Sequence, residues 1–138
     1  MEMPEPVSVA EGFDIAMNNH DLQAALDSFT DDAAIRIEPP PPAPLREFYD
    51  GKQQIRDWLQ QLMADNFHAA WRNFEIYDNT VRWVWDIHTG RFEELGVDPI
   101  ETINEAAVRE RRISSLTITF APEDMDALQR ATAARGVA

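Results

Sequence analysis

Thr80-Val81-Arg82-Trp83-Val84-Trp85-Asp86-Ile87-His88 alternates between two kinds of side chain. Val81, Trp83, Trp85 and Ile87 share one side; Arg82, Val84, Asp86 and His88 share the other. A period of two marks a half-buried strand, because successive side chains leave an extended backbone on opposite faces. The indole-bearing side is expected to face a core, leaving the charged side to water or to another subunit.

Working outward, Asp78-Asn79 is a turn pair that joins this strand to Phe67–Tyr77 as a hairpin. Two further strands, Ile100–Arg109 and Arg112–Phe120, meet near Glu110-Arg111. Alternation along the first of them, counted back from Val108, turns Ala106, Asn104 and Thr102 inward. Phe92–Leu95 reads as one helical turn before Gly96, and Pro122 with Glu123 and Asp124 opens a C-terminal helix that ends near Gly136. Upstream, Ile35 and Ile37 alternate with Arg36 and Glu38 in a strand over 33–38, which the prolines 39–42 and 44 end because proline donates no ladder hydrogen bond.

The helical signals lie earlier. Ser8 and Glu11 form a capping box for a helix over 8–18, with Val9, Phe13, Ala16 and Met17 on one face. Asp21 is a natural cap for a second helix bearing Leu22, Ala25, Leu26 and Phe29. In the third, over 51–63, Ile55, Trp58, Leu59, Leu62 and Met63 make a broad apolar stripe that Asn66 closes. Helices with a run of antiparallel strands predict one α+β domain over 1–138, with 1–7 and 131–138 as loosely ordered tails.

Composition narrows the function. The formal charge of −13, with only 12 lysines and arginines, argues against nucleic acid and against anionic membrane surfaces. No apolar run approaches a membrane span, no signal peptide is evident, and a cytoplasmic location is expected. The absence of cysteine excludes disulfides, thiolate nucleophiles and cysteine–zinc sites. No spacing of His20, His68 and His88 with other ligands suggests a metal. The expectation is a protein without cofactor or metal.

The order of elements, with several local phrases, resembles the nuclear transport factor 2-like superfamily and its SnoaL-like members. The phrases are Asn19-His20-Asp21-Leu22, Phe29-Thr30-Asp31-Asp32-Ala33, Tyr49-Asp50-Gly51-Lys52-Gln53-Gln54-Ile55-Arg56, Phe92-Glu93-Glu94-Leu95-Gly96-Val97-Asp98-Pro99 and Ile113-Ser114-Ser115-Leu116-Thr117. The resemblance spans residues 8–130. It implies a cone-shaped, curved antiparallel sheet wrapped round N-terminal helices and a pocket, and a homodimer through the outer sheet face, where Val84 is an apolar residue among charges. Its members include ketosteroid isomerases, polyketide cyclases, epoxide hydrolases and non-catalytic association domains, so residues have to choose among them.

A steroid-isomerase pattern places its base at Glu38-Pro39, its helix-one tyrosine at Phe13, which lacks a hydroxyl, and its oxyanion acid at Asn104, which can donate but is no acid. Alternation along the strand turns Glu38 outward unless the proline run twists it. An epoxide-hydrolase pattern finds only Arg82 and Asp86 on the side away from the tryptophans, and Ile118 where a second aspartate belongs. Two readings stay open. One is a cofactor-free acid–base enzyme in which Asn104 and Tyr49 polarise an oxygen while Glu38 or His88 moves a proton. The other is a ligand-binding or association domain, favoured by the lack of an inward aspartate or histidine. In both, Trp58, Trp71, Trp83 and Trp85, with Phe13, Met17 and Met63, either line an aromatic cavity for a small hydrophobic ligand or simply pack the core.

Overall fold

The first helix, α1 (Glu5–Asn18), begins three residues before the capping box that the sequence offers. Ser8 therefore sits inside the helix. Pro6 is tolerated in the first turn, where its missing N–H had no partner to lose. The computed structural model describes residues 5–43 and 45–136. Of the two expected tails, residues 5–7 belong to α1 and 131–136 to the last helix, and residues 1–4 and 137–138 lie outside the described residues.

The other elements are α2 (Leu22–Asp27), β1 (Phe29–Glu38), β2 (Phe48–Asp50), α3 (Gly51–Ala64), β3 (His68–Tyr77), β4 (Thr80–His88), α4 (Gly90–Glu94), β5 (Ile100–Arg109), β6 (Arg112–Phe120) and α5 (Pro122–Gly136). Asp21 caps α2 as its sequence position implies, its side chain accepting from the Ala24 N–H at 3.1 Å. Thr89 does the same for α4, accepting from Phe92 N–H at 3.0 Å. Asn66 follows α3 at φ 58°, the left-handed conformation that halts a helix.

The strands form one sheet in the order β2-β1-β6-β5-β4-β3. The chain is thus α+β, but the sheet is not wholly antiparallel: β1 runs parallel to β6, with Ile37 opposite Ile118. The irregular register between Phe29 and Ala34 hides the first half of β1 from a period-of-two reading, so this strand starts four residues earlier than expected. Further register shifts interrupt β3 between Arg72 and Glu75 and the β5–β6 pair between Ala107 and Val108. Such irregularities bend strands and increase twist, which lets the sheet curl over the helices. The turn into β6 places Glu110 and Arg111 at φ 54° and 64°, two left-handed residues without a glycine.

The core lies between the inner sheet face and α1, α2 and α3. Val81, Trp83, Trp85 and Ile87 are all buried, whereas Arg82 and His88 are exposed. Among the described residues no helix is long and apolar enough to cross a membrane.

Candidate functional site

The inner face is laid out in rows. Ile37, Ile118, Asn104 and Trp83 stand side by side across β1, β6, β5 and β4. In the next row are Phe120, Thr102, Trp85 and Trp71. Under this surface lies an apolar cavity of about 30 Å³, enough for one or two water molecules. Trp58 and Leu62 from α3, Phe92 from α4, and Trp85, Ile118 and Phe120 from the sheet line it.

The aromatic residues divide between cavity and packing. Trp58 and Trp85 border the space. Phe13 packs beside Trp85 with ring centres 5.9 Å apart, and Trp83 meets Trp85 edge-on at 6.2 Å. Met17 is fully buried in the core, Met63 is only partly buried, and neither Met17 nor Met63 lines the cavity. Trp71 is half-buried on the edge strand β3.

The residues expected to carry chemistry do not assemble as a group. Glu38 is exposed at the end of β1, so the proline run does not turn it inward. His88 is also exposed and bonds the Asp98 carboxylate through Nδ1 at 2.7 Å. Tyr49 is buried, but on β2, an element too short to show a period in sequence. Its hydroxyl accepts from the Arg46 N–H at 3.0 Å, its ring lies 6.0 Å from Trp58, and burial raises its pKa. Asn104 is fully buried as alternation requires: Oδ1 accepts from the Thr102 hydroxyl at 3.1 Å, while Nδ2 has no partner among the described residues. Arg82 and Asp86 belong to the outer face. There Arg72 reaches Asp86 and Glu101 at 3.3 Å, and Arg82 approaches Glu105 at 4.0 Å. The arginine–aspartate arrangement of an epoxide-opening site is therefore turned away from the cavity.

The main correction concerns Asp14 of α1. It is fully buried, against the expectation that no aspartate points inward. Its Oδ1 accepts from Trp85 Nε1 at 2.8 Å, and its Oδ2 has no partner among the described residues. Burial pushes its pKa from 3.8 up to about 8; the Trp85 hydrogen bond opposes this, and the nearby Trp83 indole eases it without closing a hydrogen bond. Glu11 adds a smaller upward push. At neutral pH Asp14 is thus a protonated carboxylic acid inside the fold. The signal was present in the sequence: Ala10, Phe13, Asp14 and Met17 follow the i, i+3, i+4, i+7 pattern of one helix face, with a carboxylate in an otherwise apolar stripe. Among the described residues, no group of three or more histidines, aspartates and glutamates is arranged to hold a metal.

A curved six-stranded sheet closed over helices defines the nuclear transport factor 2-like fold, and solved structures bear this out. An NTF2-like protein of unknown function from Cytophaga hutchinsonii matches with a TM-score of 0.68 at 14% identity, over 89% of this chain and 95% of that one. A protein provisionally described as an isomerase, from Bacillus subtilis, matches with a TM-score of 0.71 at 19% identity, over 94% and 97%. A provisional polyketide cyclase from Sinorhizobium meliloti matches with a TM-score of 0.65 at 18% identity, over 84% and 94%. At these identities the likeness establishes the fold. No family model matches the sequence, and no curated protein does.

Proposed function

We propose that this chain is a small-molecule pocket protein using cofactor-free acid–base chemistry on a small hydrophobic compound, with Asp14 as its acid. The observation behind this reading is the buried Asp14 held by Trp85, an indole that also borders the apolar cavity; burial raises the pKa of this carboxyl to about 8. A compound entering the cavity presses on the side chain that positions the acid. A pKa near working pH suits a group that must both give and regain a proton. Proteins of this fold described as isomerases and polyketide cyclases are consistent with proton-moving chemistry.

Titration of flat apolar compounds against tryptophan fluorescence, followed by product analysis, tests the reading. Conversion is expected in the unaltered protein, and a fall of about 100-fold or more in Asp14→Asn with binding retained. Conversion undiminished in Asp14→Asn removes Asp14 from the chemistry.

A second reading, ligand binding without turnover, has its own observation. Asp14 is the one carboxylate among the described buried residues, and Glu38 and His88 are exposed, leaving no partner to complete a proton relay. Quenching by a compound that is never converted favours this alternative. For assembly, we place a second copy on the outer sheet face, where half-buried Val84 pairs with Ile103, 40% exposed.

A further inference from the structure

A second space adjoins the apolar cavity, a groove of about 40 Å³ where the end of α3 meets α4. Leu45, Leu62, Thr89 and Phe92 border both spaces, so one layer of residues stands between them. Phe92 and Thr89 are tied together by the cap of α4, with Phe92 N–H donating to the Thr89 hydroxyl at 3.0 Å. Leu45 and Leu62 are only partly buried, and rotation of these two side chains joins groove to cavity. On its own side the groove adds three polar residues, Gln61, Asp65 and Arg91.

A local tie sets Arg91 in this position. Asp65 ends α3; its backbone carbonyl accepts from the Gly90 N–H at 2.8 Å, and its Oδ1 accepts from the Arg91 N–H at 3.0 Å. Glycine at 90 permits the close approach, because a Cβ there would stand 3.1 Å from the same carboxylate oxygen. Asp65 is thereby spent on backbone groups. The Arg91 side chain reaches the Ala43 carbonyl at 3.5 Å, and among the described residues it joins none of the ion pairs. It is also half-buried, whereas every other arginine of the chain is exposed. A guanidinium so placed has given up part of its hydration without gaining an anion in return.

We infer that the groove is a second binding subsite, continuous with the cavity, in which Arg91 takes the carboxylate of a small apolar acid whose hydrocarbon body lies against Trp58 and Trp85. This rests on the pocket reading above and narrows its ligands to monocarboxylates. The planar fork of a guanidinium fits the two oxygens of a carboxylate, and Gln61 brings an amide to the same groove. Asp65 lines the groove too and repels an anion, which sets a limit on affinity and favours a single charge over a double one. An amine meets like charge at Arg91, and an alcohol meets the fork with no charge to offer. The anchor stands across the shared layer from Trp85, so binding at Arg91 would hold the apolar end beside the indole that bonds Asp14.

The test follows the Arg91 Nε–H signal and the Trp58 and Trp85 indole N–H signals of ¹⁵N-labelled protein during titration with cyclohexylacetate, cyclohexylethanol and cyclohexylethylamine. The acid is expected to shift arginine and indole signals along one binding curve and to bind about tenfold or more tighter than the alcohol, with the amine weakest. Arg91→Gln should remove the preference for acid over alcohol, and added salt should weaken the acid while sparing the alcohol. The signals of the unaltered protein keep the test open if Arg91→Gln does not fold. Equal affinity for acid and alcohol, with the indole signals still moving, overturns the anion subsite and leaves an apolar pocket. A moving Arg91 signal beside stationary indoles overturns the continuity of groove and cavity. Failure of all three compounds to bind overturns the subsite and the pocket reading together.

Discussion

The two faces of β4 place like residues in opposite media, and their carboxyl groups respond accordingly. Beneath the inner face Asp14 meets indoles, and burial drives it to the neutral acid. On the outer face Asp86 meets the Arg72 guanidinium and water, in a surface network that also takes in Glu101. Asp32, exposed at the β1 bulge, is held below the usual carboxylate range by the Thr30 hydroxyl and by Arg109 at 2.7 Å. The difference teaches that charge count alone says little about chemistry in this acidic chain. Most carboxylates are solvated surface, and the one of interest has lost its charge.

The largest expected effect comes from the inner face. Trp85→Ala removes a side chain only 1% exposed, deprives Asp14 of its donor and enlarges the cavity. A loss of about 3–5 kcal/mol in urea denaturation is expected. A loss below about 1 kcal/mol would mean that the interior is already loosely packed there.

Next in size is a pH effect. The folded-state pKa of Asp14 is raised, so the native state holds a proton that the unfolded chain releases above 3.8. The contribution of this group is fully present below 3.8 and is lost as pH rises through about 8, beyond which it changes no further. Between those limits stability should decline on the order of 1 kcal/mol per pH unit from this group. Asp14→Asn should flatten that decline. Unchanged slopes in the two proteins would place an ionised Asp14 in the fold and erase the contrast with Asp86.

The smallest effects on folding are expected outside. Arg72→Ala should leave the urea midpoint in place, because exposed ion pairs trade attraction against hydration and side-chain entropy. Ile103→Lys should likewise spare the fold but reduce the mass in light scattering to the 15.8 kDa of one chain. A mass of 15.8 kDa before any substitution would remove the second copy from the outer face.

Much of this architecture was legible beforehand because its signals are local. Thr80–His88, Ile100–Arg109 and Arg112–Phe120 fall where alternation put them, and Asp21 caps α2 as its position implied. Alternation counted inward from Val108 selects Asn104, and it is buried. The misses have physical causes. A bulge broke the period over Phe29–Ala34, three residues were too few to announce β2, and a plausible cap at Ser8 lost to a helix that starts earlier. Asp14 escapes a reading by polarity because a carboxylate ordinarily faces water, although its helical spacing puts it on the buried stripe.

Residue order by itself determined which faces are apolar, where chains turn and which side of β4 carries the indoles, since these follow from short-range geometry and hydrophobicity. Tertiary structure alone decided that Asp14 meets Trp85, 71 residues away in the chain, and that Glu38 and His88 are left outside. A pKa and a hydrogen-bonding vacancy belong to an environment, and that environment exists only once α1 has closed over the sheet.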